Sequence, residues 1–194
     1  MNTMIFDAGA PTEVIIGGRS YPINTDFRIG MKFEDMAVNS TNELNLLTKA
    51  LEMYYPQIPP DIDAAVEELI RFYNCGHCEP AYGLAEKTAS APKQIYDYYY
   101  DAEYIYAAFR EQYGINLCTA QLHWWEFRAM FLALSQDTAL YRIMSYRNAD
   151  LSELKGKAKR QMEALKAAYA IPLPPSAQEQ LTDIKRKLRT TGIL

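Results

Sequence analysis

Between Gln121 and Leu134 the chain is apolar on nearly every side. Leu122, Trp124, Trp125, Phe127, Met130, Phe131, Leu132 and Leu134 leave a helix here no wet face. Such a helix belongs at the centre of a domain. Trp124 and Trp125 sharpen the demand, because adjacent helical residues point about 100° apart. Burying both indoles requires neighbours on two sides, which the rest of the chain must supply.

Helical spacing supplies several. Thr25 or Asn24 caps a helix over residues 26–38, with Phe27, Met31 and Met36 as its apolar points. Thr41 and Asn42 are cap candidates for a second, reaching Tyr54, with Leu44, Leu47, Ala50 and Leu51 in step. A third runs from Asp61 to about Tyr73, with Ile62, Val66, Leu69, Ile70 and Tyr73 on one face. Residues 74–93 show no period and read as a loop. From Lys93, the residues Ile95, Tyr99, Ala102, Tyr106, Phe109 and Tyr113 alternate steps of four and three, the seam of a packed helix, and Gly114 is its stop. Ser135 or Asp137 caps a helix over 138–147. A long amphipathic helix with a basic outer face follows from Leu151 to Tyr169.

Val14 to Ile23 reads as a β-hairpin. Gly17-Gly18 provides the positive φ that a two-residue turn demands, and Pro22 restricts the second strand to an edge. The expected fold is therefore mainly α: a helical domain of about six to eight helices with a short N-terminal β-hairpin, spanning residues 1–171. Residues 172–194 form an appendage. Pro172, Pro174 and Pro175 make an extended spacer. Ser176 and Glu179 open a last helix with the stripe Leu181, Ile184 and Leu188, which is detachable or able to dock on another molecule.

Composition limits the function. A hydrophobic fraction of 49% and a charged fraction of 23% in 194 residues suit a packed domain. The net charge of −4 argues against a general nucleic-acid binder. No apolar run approaches the roughly 20 residues that span a bilayer. The N-terminus lacks the basic residues of a secretory signal. Three cysteines suit no disulfide framework and point to a reducing cytosol. Charge is unevenly spread: residues 1–150 carry 20 acids and 11 bases, residues 151–194 carry 4 acids and 9 bases. That split suits self-association, an acidic partner or an intramolecular clamp. The 15 tyrosines against 7 phenylalanines suit either half-buried core edges or interfaces.

Chemical motifs are sparse. Cys75, His77, Cys78, Cys118 and His123 offer the donor types zinc prefers, but Cys118-x4-His123 is not a standard knuckle, and His123 reads as a core or cap histidine. Cys75 and Cys78 also have thiol-redox spacing, without the βαβ context that such sites use. Asp97 and Asp101, four apart, read as a solvated helical face. No phosphate loop or nucleophile elbow is present. No enzyme, metal or cofactor is expected. The run Lys185, Arg186, Lys187, Leu188, Arg189 suits a helix C-terminus facing an acidic protein surface.

Three segments together carry a family resemblance. They are Tyr104-Ile105-Tyr106-Ala107-Ala108-Phe109 through Gln112-Tyr113-Gly114-Ile115-Asn116-Leu117; Leu122-His123-Trp124-Trp125-Glu126-Phe127-Arg128-Ala129-Met130-Phe131; and Ile143-Met144-Ser145-Tyr146-Arg147. With Phe72-Tyr73-Asn74-Cys75-Gly76 and the hairpin, the chain to about residue 171 resembles the phage gene-product-fifteen family of Gram-positive siphophages and their prophages. It departs at Asn116, where the family often has Asp, and the segment after Pro172 has no counterpart. The resemblance implies a tail-assembly chaperone in the host cytoplasm. It would coat the tape-measure protein, recruit the major tail protein, and be absent from the mature virion. It carries no catalytic residues. The interaction residues expected from the sequence are Tyr99, Tyr106, Tyr113, Leu181, Ile184 and Leu188, with Lys185, Arg186, Lys187 and Arg189. The competing readings are a zinc or thiol-redox protein and a permanent virion subunit.

Overall fold

A computed structural model describes residues 9–40, 42–77 and 94–172. Strands β1 (Glu13–Ile16) and β2 (Arg19–Pro22) form an antiparallel hairpin in the register Val14 to Tyr21 and Ile16 to Arg19. Gly17 and Gly18, at φ 56° and 78°, make the expected two-residue turn. Val14 and Ile16 are buried on the third helix, while Ile15 faces out. The hairpin is thus anchored along one face, as an isolated two-stranded ribbon must be.

Seven α-helices follow among the described residues: α1 (Phe27–Asn39), α2 (Glu43–Tyr54), α3 (Ile62–Tyr73), α4 (Ala102–Tyr113), α5 (Trp124–Leu132), α6 (Ala139–Asn148) and α7 (Gly156–Ala168). The mainly α reading with an N-terminal hairpin is correct. The caps differ in detail. Asp26, not Thr25 or Asn24, accepts the Arg28 N–H and starts α1. Asn42 and Asp61 cap α2 and α3. Thr138 itself caps α6 through the Tyr141 N–H. Gly114, at φ 70°, ends α4 as expected.

Three expectations are corrected. The stripe of α3 is turned: Ala65, Leu69, Phe72 and Tyr73 are buried, and Ile62 is exposed. The seam from Ile95 to Tyr113 is not one helix. Asp97 Oδ1 accepts the N–H groups of Tyr99 and Tyr100 at 2.8 and 2.7 Å, and Asp101 Oδ2 accepts that of Asp97 at 3.0 Å. These side chain to backbone bonds compete with helix and delay α4 to Ala102. The last long helix likewise begins late, because Asp150 closes a local turn with Ser152. No residue of α7 is buried.

The core joins α1 to α2 and α5, α3 to α2 and β1, and α4 to α6, with α7 lying on α6. Its centre is aromatic. The Phe127 ring lies amid those of Phe27, Phe109, Trp124, Phe131 and Tyr98, at centroid separations of 4.9 to 6.0 Å. The helix expected to be dry all round has one wet side. Glu126, Ala129, Leu132 and Ala133 are exposed, with Leu132 at 74%.

Candidate functional site

The start of α5 is fixed from both sides of its cap. His123 Nδ1 accepts the Trp125 N–H at 3.0 Å, and Glu126 Oε2 accepts the His123 N–H at 3.2 Å, a capping box with histidine in the leading place. The ring's other nitrogen, Nε2, lies 3.0 Å from the Pro11 carbonyl. A ring that accepts at Nδ1 and donates at Nε2 is the neutral tautomer. Burial lowers its pKa, against the opposing pull of the Pro11 carbonyl and Glu126.

Both indoles then tie α5 to α3. Trp124 Nε1 donates to Tyr73 O at 2.8 Å, and Trp125 Nε1 to Phe72 O at 2.7 Å. These carbonyls lie in the last turn of α3, where intrahelical partners run out. The adjacent tryptophans thus serve as a C-terminal cap for another helix. Beside them, Glu34 accepts a short hydrogen bond from the Tyr73 hydroxyl and lies 3.6 Å from Arg128. Burial raises the Glu34 carboxyl above its ordinary range, only partly offset by Tyr73, Tyr96 and Arg128.

A second junction sits at the end of α6. Arg147 pairs bidentately with the wholly buried Asp101, at 2.6 and 2.8 Å. The same guanidinium donates to Ile95 O at 3.0 Å and Tyr169 O at 2.6 Å. Asp101 is therefore no part of a solvated carboxylate face. It spends its charge on Arg147 and leaves the α4 N-terminus without a side-chain cap.

Between α5 and α6 the surface opens into a groove of about 140 Å³. Ile95, Phe131, Leu132, Leu134, Tyr141 and Met144 wall it, and Tyr96 and Arg128 complete the lining. The exposed Leu132 and Tyr141 stand at this opening. An apolar recess flanked by exposed apolar side chains is suited to receive a hydrophobic side chain from another element.

Residues 10–171 match the family model described as Bacteriophage Gp15 protein. The chain belongs to the bacteriophage Gp15 family. No curated protein and no solved structure matches it. In this Gp15 protein the match takes in the hairpin, all seven helices, both junctions and the groove.

The Gp15 side chains expected to matter are scattered. Tyr99 lies exposed in the turn before α4, Tyr106 is on the α4 flank, and Tyr113 is half-buried with its hydroxyl donating to Met130 O at 2.9 Å. Tyr106 and Tyr113, seven apart, share a side of α4, and Tyr99 lies outside that helix. Of the metal candidates, Cys75 is buried just past α3 and His77 is exposed. Cys118 is exposed in another loop, and His123 has both nitrogens engaged. Burial pushes the Cys75 thiol up to about 11, away from the thiolate that metal binding and redox exchange use. Among the described residues, no three His, Cys, Asp or Glu side chains are placed to hold a metal ion. Cys78 and the segment bearing Leu181, Ile184, Lys185, Arg186, Lys187, Leu188 and Arg189 lie outside the described residues. Among the described residues no helix is long and apolar enough to cross a membrane. Sequence reading missed the groove. Its one mark in the sequence is Leu132, an apolar residue that helical density alone does not separate from core.

Proposed function

We propose that this phage protein is a non-enzymatic tail-assembly chaperone. It coats helical stretches of the tape-measure protein in the host cytoplasm, recruits the major tail protein, and leaves before the virion matures. The observation that carries the reading is the α5–α6 groove with Leu132 at its mouth. A chaperone of a long amphipathic helix needs a shallow apolar seat for single side chains, repeated over many copies, rather than an enclosed pocket. Membership of the phage family supports it.

The test is co-expression with the protein encoded immediately downstream, followed by pull-down with the wild-type chain and with Leu132→Lys. The expected result is a complex with the wild type that the variant weakens at least about tenfold, a loss of 1.4 kcal/mol in binding. Mass spectrometry of purified particles should not find the chain. Its stoichiometric presence there would make it a permanent subunit, and failure to capture the downstream protein would remove the chaperone reading.

A further inference from the structure

The groove has a candidate occupant within the same polypeptide. The chain leaves α7 at Tyr169, whose carbonyl shares the Arg147 guanidinium with that of Ile95. Ile95 is itself a wall of the groove. Tyr169 therefore lies near one end of the recess, and 25 residues of sequence follow it. Along α6 the recess runs from Met144 back to Tyr141, about 4.5 Å of helix. At the rise of about 3.1 Å per residue that a proline-rich sequence favours, a six-residue spacer can span at most roughly 19 Å. The stripe Leu181, Ile184 and Leu188 then presents branched aliphatic side chains at helical spacing. A cavity near 150 Å³ lined by aliphatic and aromatic groups accommodates a six-carbon ring, so about 140 Å³ suits one such side chain, with its neighbours lying against Leu132 and Tyr141.

Charge points the same way. The segment after Pro172 carries Lys185, Arg186, Lys187 and Arg189 against Glu179 and Asp183, while residues 1–150 carry the acidic excess. Asp97 adjoins Tyr96 in the lining, and Asp137 lies between Leu134 and Tyr141 in sequence.

We infer that residues 176–189 dock in cis across the α5–α6 groove, seating one of Leu181, Ile184 or Leu188 beside Leu132.

Hydrogen exchange on the full-length chain tests it without any phage partner. Wild type is compared with the full-length variant Leu181→Asp/Ile184→Asp/Leu188→Asp. Amides of residues 130–134 and 139–146 should exchange about tenfold faster in the variant, with α1 and α3 unchanged. Equal exchange would overturn the docking. A photo-crosslinker placed at Tyr141 should join residues 176–189 within one chain. In a mixture of ¹⁵N-labelled and unlabelled protein, cross-linked peptides of mixed isotope content would show exchange between copies and overturn the cis arrangement. Failure in either measurement leaves capture of the downstream protein untouched, so the two readings fall separately.

Discussion

The indole of Trp124 lies directly on Gly30: a Cβ built on that glycine would sit 2.2 Å from Trp124 Cε3 and 2.3 Å from Cδ2. The close crossing of α1 and α5 depends on that missing methyl. The indole cannot retreat, because it stacks on Tyr73 at 5.2 Å and its N–H is committed to Tyr73 O. Gly30→Ala should therefore destabilise the fold by about 3 kcal/mol despite alanine's better helix propensity. Urea unfolding would show it as a lower midpoint at unchanged slope. A variant as stable as the wild type would mean that the two helices separate at little cost.

Asp101 and Arg147 should behave as a coupled pair. Removing either charge strands the other in a dry site, so Arg147→Met or Asp101→Leu should each cost about 3–5 kcal/mol. The double variant should lose clearly less than the sum, and the double-mutant cycle measures the difference. Additive losses would show that each group acts through other partners.

His123 caps α5 only as the neutral ring. Its folded pKa lies below the ordinary 6.5, so the unfolded chain takes up the proton more readily. Its stabilisation is present above 6.5 and is lost as pH falls through the lowered folded value. His123→Ser keeps a hydroxyl cap that does not titrate there. Stability measured across this acid range should fall less steeply for the variant than for the wild type. Parallel curves would assign the acid sensitivity to other groups.

Glu34 runs the opposite way. Its carboxyl is raised above 4.5 by burial, so the folded state holds the proton more tightly than the unfolded chain. Its contribution to folding is present below 4.5 and is lost as pH rises through the folded value. Glu34→Gln keeps an acceptor for the Tyr73 hydroxyl but does not titrate. The stability of the wild type relative to this variant should decline as pH rises from 4.5, as read by denaturant unfolding at a series of pH values. A constant or rising difference would sink the assignment.

Trp125→Phe isolates the interhelical cap. A ring remains, but Phe72 O keeps only backbone donors past α3, the Cys75 N–H at 2.9 Å among them, so the change should cost about 0.5–1.5 kcal/mol by thermal or urea unfolding. No measurable cost would mean that water replaces the indole N–H.

Element type was legible wherever one signal dominated. Gly17-Gly18 marks the hairpin turn by its positive φ, Asn42 and Asp61 mark helix starts by side-chain oxygens that accept backbone N–H groups, and Gly114 marks a helix end by its left-handed backbone. The family helix was legible from its apolar density. Sequence periodicity misled where a polar side chain turned back on the backbone. Ile95 and Tyr99 keep helical spacing, but Asp97 and Asp101 hold the N–H groups that a helix would have used. Long-range partners were hidden for the same reason. Nothing in the local pattern around Asp101 announces an arginine 46 residues away, and Leu132 differs from Phe131 only in which way the helix happens to face.

The stretch shared with the phage family opens at residue 10 and closes at residue 171. Its first and last few residues are each lashed to the body by one side chain, Pro11 by His123 and Tyr169 by Arg147. Cargo grafted outside those two lashings would load neither the aromatic stack nor the buried ion pair. A fluorophore, tag or foreign peptide fused beyond them should ride along without loosening the frame.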